Sequence, residues 1–109
     1  AAKLLADATA VVEAGAALLV LECVPAELAK AVTEAVEVPV IGIGAGADTD
    51  GQVLVMHDML GMVHGRAPRF IHDFLTDELN TEHSIEGAFA LYQQSVREGS
   101  FPQAKHQFD

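Results

Sequence analysis

The sequence predicts an α/β fold built on a parallel β-sheet. A helical pattern over Ala1–Ala14 is followed by a short apolar run, Ala17–Leu21, and a second helical pattern, Pro25–Val36. Two more apolar runs, Val38–Ile43 and Val53–Met56, enclose a glycine-rich loop. Strands that alternate with helices are typical of parallel sheets joined by right-handed crossovers.

Local signals support each of these segments. The first helical pattern ends at Gly15, a residue type that commonly terminates helices. Ala17–Leu21 is short and continuously apolar, which predicts a strand buried on both faces. Pro25 suits the first position of a helix because that position needs no amide donor. After the glycines, Asp48 or Asp50 is expected to cap a short helical turn.

The C-terminal part of the sequence predicts two more helices and an irregular tail. Arg69–Leu79 is the first helix, preceded by a turn. Ser84 caps the second, which runs to Glu98 and stops at Gly99. The tail, Ser100–Asp109, has no periodicity. The apolar stripe expected on the second helix comprises Ile85, Phe89, Tyr92 and Val96.

Composition restricts the classes of function. Half of the 109 residues are hydrophobic, enough for a packed core. Six Lys and Arg against sixteen Asp and Glu give a net charge of −10, which argues against nucleic-acid and anionic-membrane partners. The only cysteine, Cys23, makes no intramolecular disulfide, so nothing suggests an oxidising compartment. Apolar runs such as Ala14–Leu21 are too short to cross a bilayer, and a cytoplasmic location is expected.

Glu22 is the leading candidate for catalysis. It ends the first predicted strand, and the carboxyl ends of parallel strands form the active-site face of α/β proteins. Its apolar neighbours predict partial desolvation, which favours a carboxylate acting as a general base. The alternative is a carboxylate that only interacts with the dipole of the helix beginning at Pro25.

Gly42, Gly44 and Gly46 follow the second strand and are candidates for the rim of a substrate site. Glycines let backbone amides approach a ligand closely, so a phosphate-gripping loop is one interpretation. As a dinucleotide fingerprint the motif is weak, because Ala47 stands where the last glycine is required. A tight bend that only shapes the mouth of the site is the favoured interpretation.

Several other reactive side chains are expected to have structural or surface roles. His57 and Asp58 end the third predicted strand, where neighbours point to opposite faces and do not share a site. Cys23 is expected to be a small buried hydrophobe. The remaining histidines, namely His64, His72, His83 and His106, lack ligand spacing and are interpreted as surface residues. An acidic group, namely Asp73, Asp77, Glu78 and Glu82, is interpreted as a solvated patch.

Two long stretches resemble the ketopantoate hydroxymethyltransferase family closely. They are AGAALLVLECVP, over Ala14–Pro25, and VPVIGIGAGADTDGQVLVMHDMLG, over Val38–Gly61, in the family's order and spacing. The pair Phe101-Pro102 and the triplet His106-Gln107-Phe108 also fit. The resemblance covers essentially the whole chain.

The resemblance implies a (βα)₈ TIM barrel to which this chain contributes the last three strands and the C-terminal helices. The implied reaction transfers a hydroxymethyl group from 5,10-methylenetetrahydrofolate to 3-methyl-2-oxobutanoate, giving 2-dehydropantoate on the route to pantothenate. Glu22 occupies the position of the family's glutamate base. The implied Mg²⁺ would chelate the 2-oxo acid, but its ligands match no motif in this chain.

The resemblance also sets expectations for the whole protein. Residues 1–65 would form the last strands and helices of the barrel, and residues 66–109 the C-terminal helices and tail of the same domain. The chain begins without Met, which suggests a truncated or processed start, and we expect it to be inactive alone. It would need the N-terminal part of the enzyme and form a homo-oligomer. Two alternatives remain open: a non-catalytic, self-associating half-barrel, and a phosphate-binding enzyme that uses Gly42–Gly46.

Overall fold

The computed structural model describes all 109 residues and has the predicted alternation of helices and parallel strands. In chain order, the elements are α1 (Ala2–Glu13), β1 (Leu19–Glu22), α2 (Ala26–Ala35), β2 (Val40–Ile43), β3 (Gly51–Gln52), α3 (Met56–Met59), α4 (Ile85–Glu98) and a 3₁₀ helix (Ala104–His106). None of the helices is both long enough and apolar enough to cross a membrane.

The three strands form one parallel sheet in the order β1-β2-β3, which confirms the predicted strand direction. Glu22 is paired with Ile43, so β1 and β2 end at the same edge. Ile41 is paired with Gly51 on the other side of β2. Strands β1 and β3 each have one edge without a partner strand.

Helices α1 and α2 cover only one face of this sheet. The first core contains Ala8 from α1, Val32 from α2, Leu19 and Leu21 from β1, and Val40 from β2. Val32 and Val40 are fully buried. The opposite face of β1 has no such cover, since burial alternates along the strand. The prediction that β1 is buried on both faces is therefore wrong for these residues.

The third strand does not lie where the apolar pattern predicted. It spans Gly51–Gln52, and the chain over Val53–Met56 leads irregularly into α3. The amide of Asp50 donates to the carbonyl of Val40 over 2.8 Å, and the carboxylate of Asp50 accepts from the amide of Val40 over 2.8 Å. Pairing with β2 therefore begins before the apolar run. Asp50 binds β2, and neither it nor Asp48 caps a helical turn.

The predicted helix over Arg69–Leu79 is wrong, because side chains there bind the backbone groups that a helix would pair. Asp73 accepts from the amides of Leu75 and Thr76 over 2.9 and 3.2 Å. The buried amide of Asn80 donates to three backbone carbonyls, including that of Leu75 at 3.0 Å. Such local bonds offer the backbone an alternative to helical pairing. The segment is a series of turns.

Helix α4 has the predicted position, and half of the predicted apolar stripe faces the core. Ser84 caps it by accepting from the amide of Gly87 over 2.9 Å, and Gly99 ends it in the left-handed conformation. Ala88 and Ser95 are its buried residues. Tyr92 and Val96 of the expected stripe pack against a second hydrophobic core, whereas Ile85 and Phe89 are exposed. The second core, to which α4 contributes, consists of Met59, Leu60, Phe74, Ala88 and Phe101.

Candidate active site

The candidate catalytic carboxylate lies at the edge of the sheet where β1 and β2 end. The amide of Cys23 donates to the carbonyl of Ile43 over 2.9 Å, which continues the pairing one step past Glu22. Gly44 follows Ile43 directly. The turn after β1 and the glycine loop after β2 therefore start side by side, as the sequence predicted for a strand-end site.

Glu22 is on the sheet face away from the helices. It alternates with Leu21 and shares its face with Val20, because successive side chains of a strand point to opposite sides. Both Glu22 and Val20 are exposed. The predicted desolvation of Glu22 is wrong for these 109 residues, since no part of the chain covers this face.

The glycines in β2 and in the loop after it are required by close packing within the chain. Gly42 is buried in β2. Gly44 has φ +66°, and a Cβ there would lie 3.0 Å from the ring of Phe70. Gly46 has φ +81°, and its Cβ would lie 2.7 Å from the Cβ of Ala26. These contacts favour the tight bend over a phosphate cradle, because chain atoms already occupy the space beside two of the glycines.

The glycine loop is held by polar side chains that the sequence analysis did not single out. The side-chain amide of Gln52 donates to the carbonyl of Gly46 over 2.8 Å and to the hydroxyl of Thr49 over 3.1 Å. The Thr49 hydroxyl donates to the carbonyl of Gly51 over 2.9 Å. The signal in the sequence was Gln52, a polar residue directly before the apolar run that begins at Val53. Its side chain can stabilise the bend by binding the loop backbone.

The remaining candidates near the sheet are placed differently from the predictions. His57 and Asp58 lie in α3 and not at a strand end; His57 is exposed and Asp58 is partly buried. Cys23 is exposed, with φ 52° in the left-handed region. The expected burial of Cys23 is therefore wrong, because the turn between β1 and α2 directs this residue to solvent.

Two histidines expected at the surface belong to a polar cluster against the second core. The Nε2 atom of His72 lies 2.6 Å from a carboxylate oxygen of Asp77. The amide of Leu79 and the ring of His72 both donate to Asp77, and these bonds hold the pKa of its carboxyl below the usual value. His106 is only 6% exposed. The interpretation of His106 as a surface residue is therefore wrong, and His72 and Asp77 are only partly exposed.

His106 is held as a neutral hydrogen-bond acceptor. Its Nδ1 atom accepts from the amide of Gln103 over 3.0 Å, so the neutral ring carries its proton on Nε2. Burial, followed by the nearby charges of Lys105 and His72, lowers the pKa of His106. His106 and His72 line a cleft of about 260 Å³ that Glu22 does not reach.

The C-terminal tail contacts the candidate site, which the aperiodic sequence did not reveal. The amide of Ala26, the first residue of α2, donates to the carbonyl of Phe108 over 3.0 Å. Arg69 places its guanidinium carbon 5.5 Å from the centroid of the Phe108 ring. The available signal was the His106-Gln107-Phe108 triplet, whose aromatic end needs a packing partner.

The acidic and histidine side chains do not form a metal site. No group of three His, Cys, Asp or Glu residues in the chain is arranged to hold a metal ion. The Mg²⁺ implied by the family resemblance therefore does not fit the residues present. We assign no step of the chemistry of this chain to a metal.

A parallel sheet with a carboxylate and a glycine loop at the carboxyl ends of its strands is the arrangement of an α/β enzyme. Sequence comparison supports this class of protein and identifies a family within it. The chain belongs to the ketopantoate hydroxymethyltransferase family, because the sequence model of that family matches residues 1–104.

Individual relatives are similar over nearly the whole chain. It is 92% identical over 106 residues to the 3-methyl-2-oxobutanoate hydroxymethyltransferase of Psychrobacter cryohalolentis, covering 97% of this chain and 40% of the relative. The enzyme of the same name from Psychrobacter arcticus is 89% identical with the same coverage. The 3-methyl-2-oxobutanoate hydroxymethyltransferase 2 of Pseudomonas aeruginosa is 56% identical over 110 residues, covering 100% of this chain and 40% of the relative. The chain thus spans about 40% of the length of these relatives.

Proposed function

We propose that this chain is the C-terminal part of a 3-methyl-2-oxobutanoate hydroxymethyltransferase and carries its general base, Glu22. The reaction would transfer a hydroxymethyl group from 5,10-methylenetetrahydrofolate to 3-methyl-2-oxobutanoate, giving 2-dehydropantoate in pantothenate biosynthesis. The observation that carries the proposal is the position of Glu22, at the end of a parallel strand in a chain that belongs to this family.

The one-sided cover of the sheet supports a barrel as the complete fold. In an open doubly wound sheet, helices pack on both faces. Here α1 and α2 pack on the same face, as the outer helices of a TIM barrel do. Val20 and Glu22 would then point inward, and further strands would cover them. Residues 1–65 and 66–109 would be parts of this one barrel domain.

The role of Glu22 follows from its chemistry at the barrel mouth. The proton at C3 of a 2-oxo acid must be removed before the new carbon–carbon bond forms, and a carboxylate in hydrogen-bond reach can accept it. Strands supplied by the rest of the barrel would exclude water from Glu22. The Mg²⁺ expected from the family would supply Lewis-acid chemistry from ligands outside this chain. We also propose a cytoplasmic location and a homo-oligomer.

Glu22→Gln in the complete enzyme tests this proposal. The amide keeps the shape of the side chain and removes the base, so proton exchange at C3 should slow by roughly 10²–10⁴-fold. Binding of 3-methyl-2-oxobutanoate should change little. Deuterium exchange at C3, measured without the folate, reports the step directly.

Glu27→Gln is the matched control because Glu27 is an exposed carboxylate in the first turn of α2. If Glu22 acted only on the helix dipole, the two variants would have similar, small effects. Exchange at the unmutated rate in Glu22→Gln would assign the base to another residue.

The isolated 109 residues should show no measurable hydroxymethyl transfer, with or without Mg²⁺. Glu22 is exposed to solvent and no metal-binding group is present to stabilise an enolate. Mixing with the separately expressed remainder of the enzyme should restore some activity if the two parts complete the barrel. Turnover by the isolated, mass-verified chain would contradict the proposal, and failure of complementation by soluble parts would favour a non-catalytic module.

A further inference from the structure

The C-terminal tail fills a hydrogen-bonding position at the start of α2. The first amides of a helix have no partner within the helix and must find one elsewhere. No side chain caps α2, and the carbonyl of Phe108 accepts from the amide of Ala26 over 3.0 Å. Ala26 is separated from Glu22 only by the turn Cys23–Pro25. The tail is thus attached to the segment that carries the proposed base.

Arg69 and Phe70 hold the tail in this position. Arg69 donates to the carbonyl of Gln107 over 3.4 Å, and its guanidinium lies against the Phe108 ring. The rings of Phe70 and Phe108 are 6.3 Å apart between centroids, within the range of favourable aromatic pairs. Phe70 also packs closely on Gly44. Phe70 therefore contacts both the tail and the glycine loop, and Arg69 contacts the tail.

The base of the tail is anchored in the second core. His106 is buried, its Nδ1 atom is bound by the amide of Gln103, and its ring lies 4.9 Å from that of Phe101. Gln107 and Phe108 leave this anchor directly. The side-chain oxygen of Gln107 would lie 3.6 Å from a Cβ at Gly46. The tail is therefore fixed on one side by the second core and reaches both strand-end loops on the other.

We propose that Arg69, Phe70, Gln107 and Phe108 form a clasp that holds the turn after β1 and the glycine loop in fixed relative positions, making Phe108 and Arg69 positioning residues for Glu22. This inference rests on the proposed function of Glu22. A general base works only when its oxygen lies within hydrogen-bond reach of the proton it removes. A looser turn at Cys23–Pro25 would misplace the carboxylate without removing contacts that bind the substrate.

Phe108→Ala in the complete enzyme tests the clasp. The backbone carbonyl remains, but the ring no longer packs on Arg69 and Phe70. We expect faster hydrogen exchange of the Ala26 amide and a C3 exchange rate constant lowered by roughly 10- to 100-fold, the size of effect that a small misplacement can have. KM for 3-methyl-2-oxobutanoate should stay within roughly twofold, because the lost rate reflects orientation and not uniform binding.

Two further variants separate positioning from general destabilisation. Phe108→Tyr keeps an aromatic ring and should retain most of the rate. Phe89→Ala is the matched control because it removes an exposed phenylalanine of α4 outside the clasp. It should leave Ala26 exchange and the C3 exchange rate unchanged. Equal rate losses in Phe89→Ala and Phe108→Ala would overturn the clasp.

A double variant separates this inference from the proposed role of Glu22. In the Glu22→Gln background, Phe108→Ala should cause no further loss of C3 exchange, because both changes act on one step. Additive losses would overturn the clasp as a positioning device for Glu22. An unchanged rate in Glu22→Gln alone would reject the base, and Ala26 exchange in Phe108→Ala would still decide whether the tail holds the turn. Unchanged Ala26 exchange would overturn the clasp in every case.

Discussion

Asp50 binds both backbone groups of Val40, accepting from its amide and donating to its carbonyl, each over 2.8 Å. Val40 is fully buried in the first core. Loss of the carboxylate would leave its amide without a partner, which costs about 1–3 kcal/mol. We therefore expect Asp50→Ala to lower the free energy of unfolding by about that amount in urea titrations. Asp48→Ala, an exposed loop residue without a side-chain hydrogen bond, should change it by less than about 0.5 kcal/mol.

Gly87 in α4 should resist replacement by alanine, although alanine favours helices. A Cβ at this position would overlap the side-chain oxygen of Asn80 and lie 2.8 Å from the Ser84 hydroxyl. Asn80 is held by three hydrogen bonds and cannot withdraw freely. The overlap should outweigh the gain of about 1 kcal/mol in helix propensity, giving a net loss of about 1–3 kcal/mol. Thermal unfolding would measure this loss.

The effect at Gly87 should depend on Asn80. In an Asn80→Ala background the overlap with Asn80 is removed and only the 2.8 Å contact with the Ser84 hydroxyl remains, so Gly87→Ala should cost less stability there. A double-mutant cycle measures this coupling. Equal effects of Gly87→Ala in both backgrounds would show that Asn80 is not the obstacle.

Tyr92 contributes an unpaired buried hydroxyl to the second core. This oxygen has no hydrogen-bond partner, and burial raises the pKa of Tyr92 to about 12. Tyr92→Phe removes the unsatisfied group and keeps the ring against Phe74 and Phe101. We expect it to raise the free energy of unfolding by about 1 kcal/mol.

Tyr92 should also make the folded chain less stable in alkaline solution. The unfolded tyrosine loses its proton near the ordinary value of 10.0, whereas the folded one retains it until about 12. The unfolded state therefore binds fewer protons within that window, and stability falls as the pH rises through it. Unfolding curves of Tyr92→Phe should lack this part of the decline, and an identical decline would contradict the burial of the hydroxyl.

His106 should make the chain less stable in mild acid. Its folded pKa is lowered below the ordinary 6.5, mainly by burial, so the unfolded state binds a proton first as the pH falls. The stabilisation is fully present above the pKa of His106 in the unfolded state. It is lost as the pH falls through the pKa of His106 in the folded state. Protonation also removes the acceptor for the Gln103 amide.

Replacement of His106 tests that assignment. His106→Gln should be less stable near neutral pH but should show a flatter decline as the pH falls below the ordinary histidine pKa of 6.5. His64→Gln is the control because His64 is exposed and makes no side-chain hydrogen bond. An unaltered pH dependence in His106→Gln would assign the acid sensitivity to another group.

The sequence determined those elements whose signals are local. The spacing of apolar residues located α1 and α2, and Ser84 and Gly99 set the ends of α4. The run ending at Glu22 placed the carboxylate at the carboxyl end of β1, and parallel pairing followed from alternation with helices. Residues within a few positions of each other carry this information, since caps and periodicities act within one or two turns.

Tertiary contacts decided the features that local patterns predicted wrongly. β3 lies at Gly51–Gln52 because Asp50 bonds to Val40, and the segment after Arg69 forms turns because Asn80 and Asp73 bind its backbone. The tail was aperiodic in sequence, yet Phe108 lies against the start of α2. The first two outcomes depend on side chains that bind backbone groups, and the third depends on a backbone hydrogen bond between residues far apart in the chain. Periodicity does not encode such bonds, because their partners come within hydrogen-bond distance only once the chain has folded.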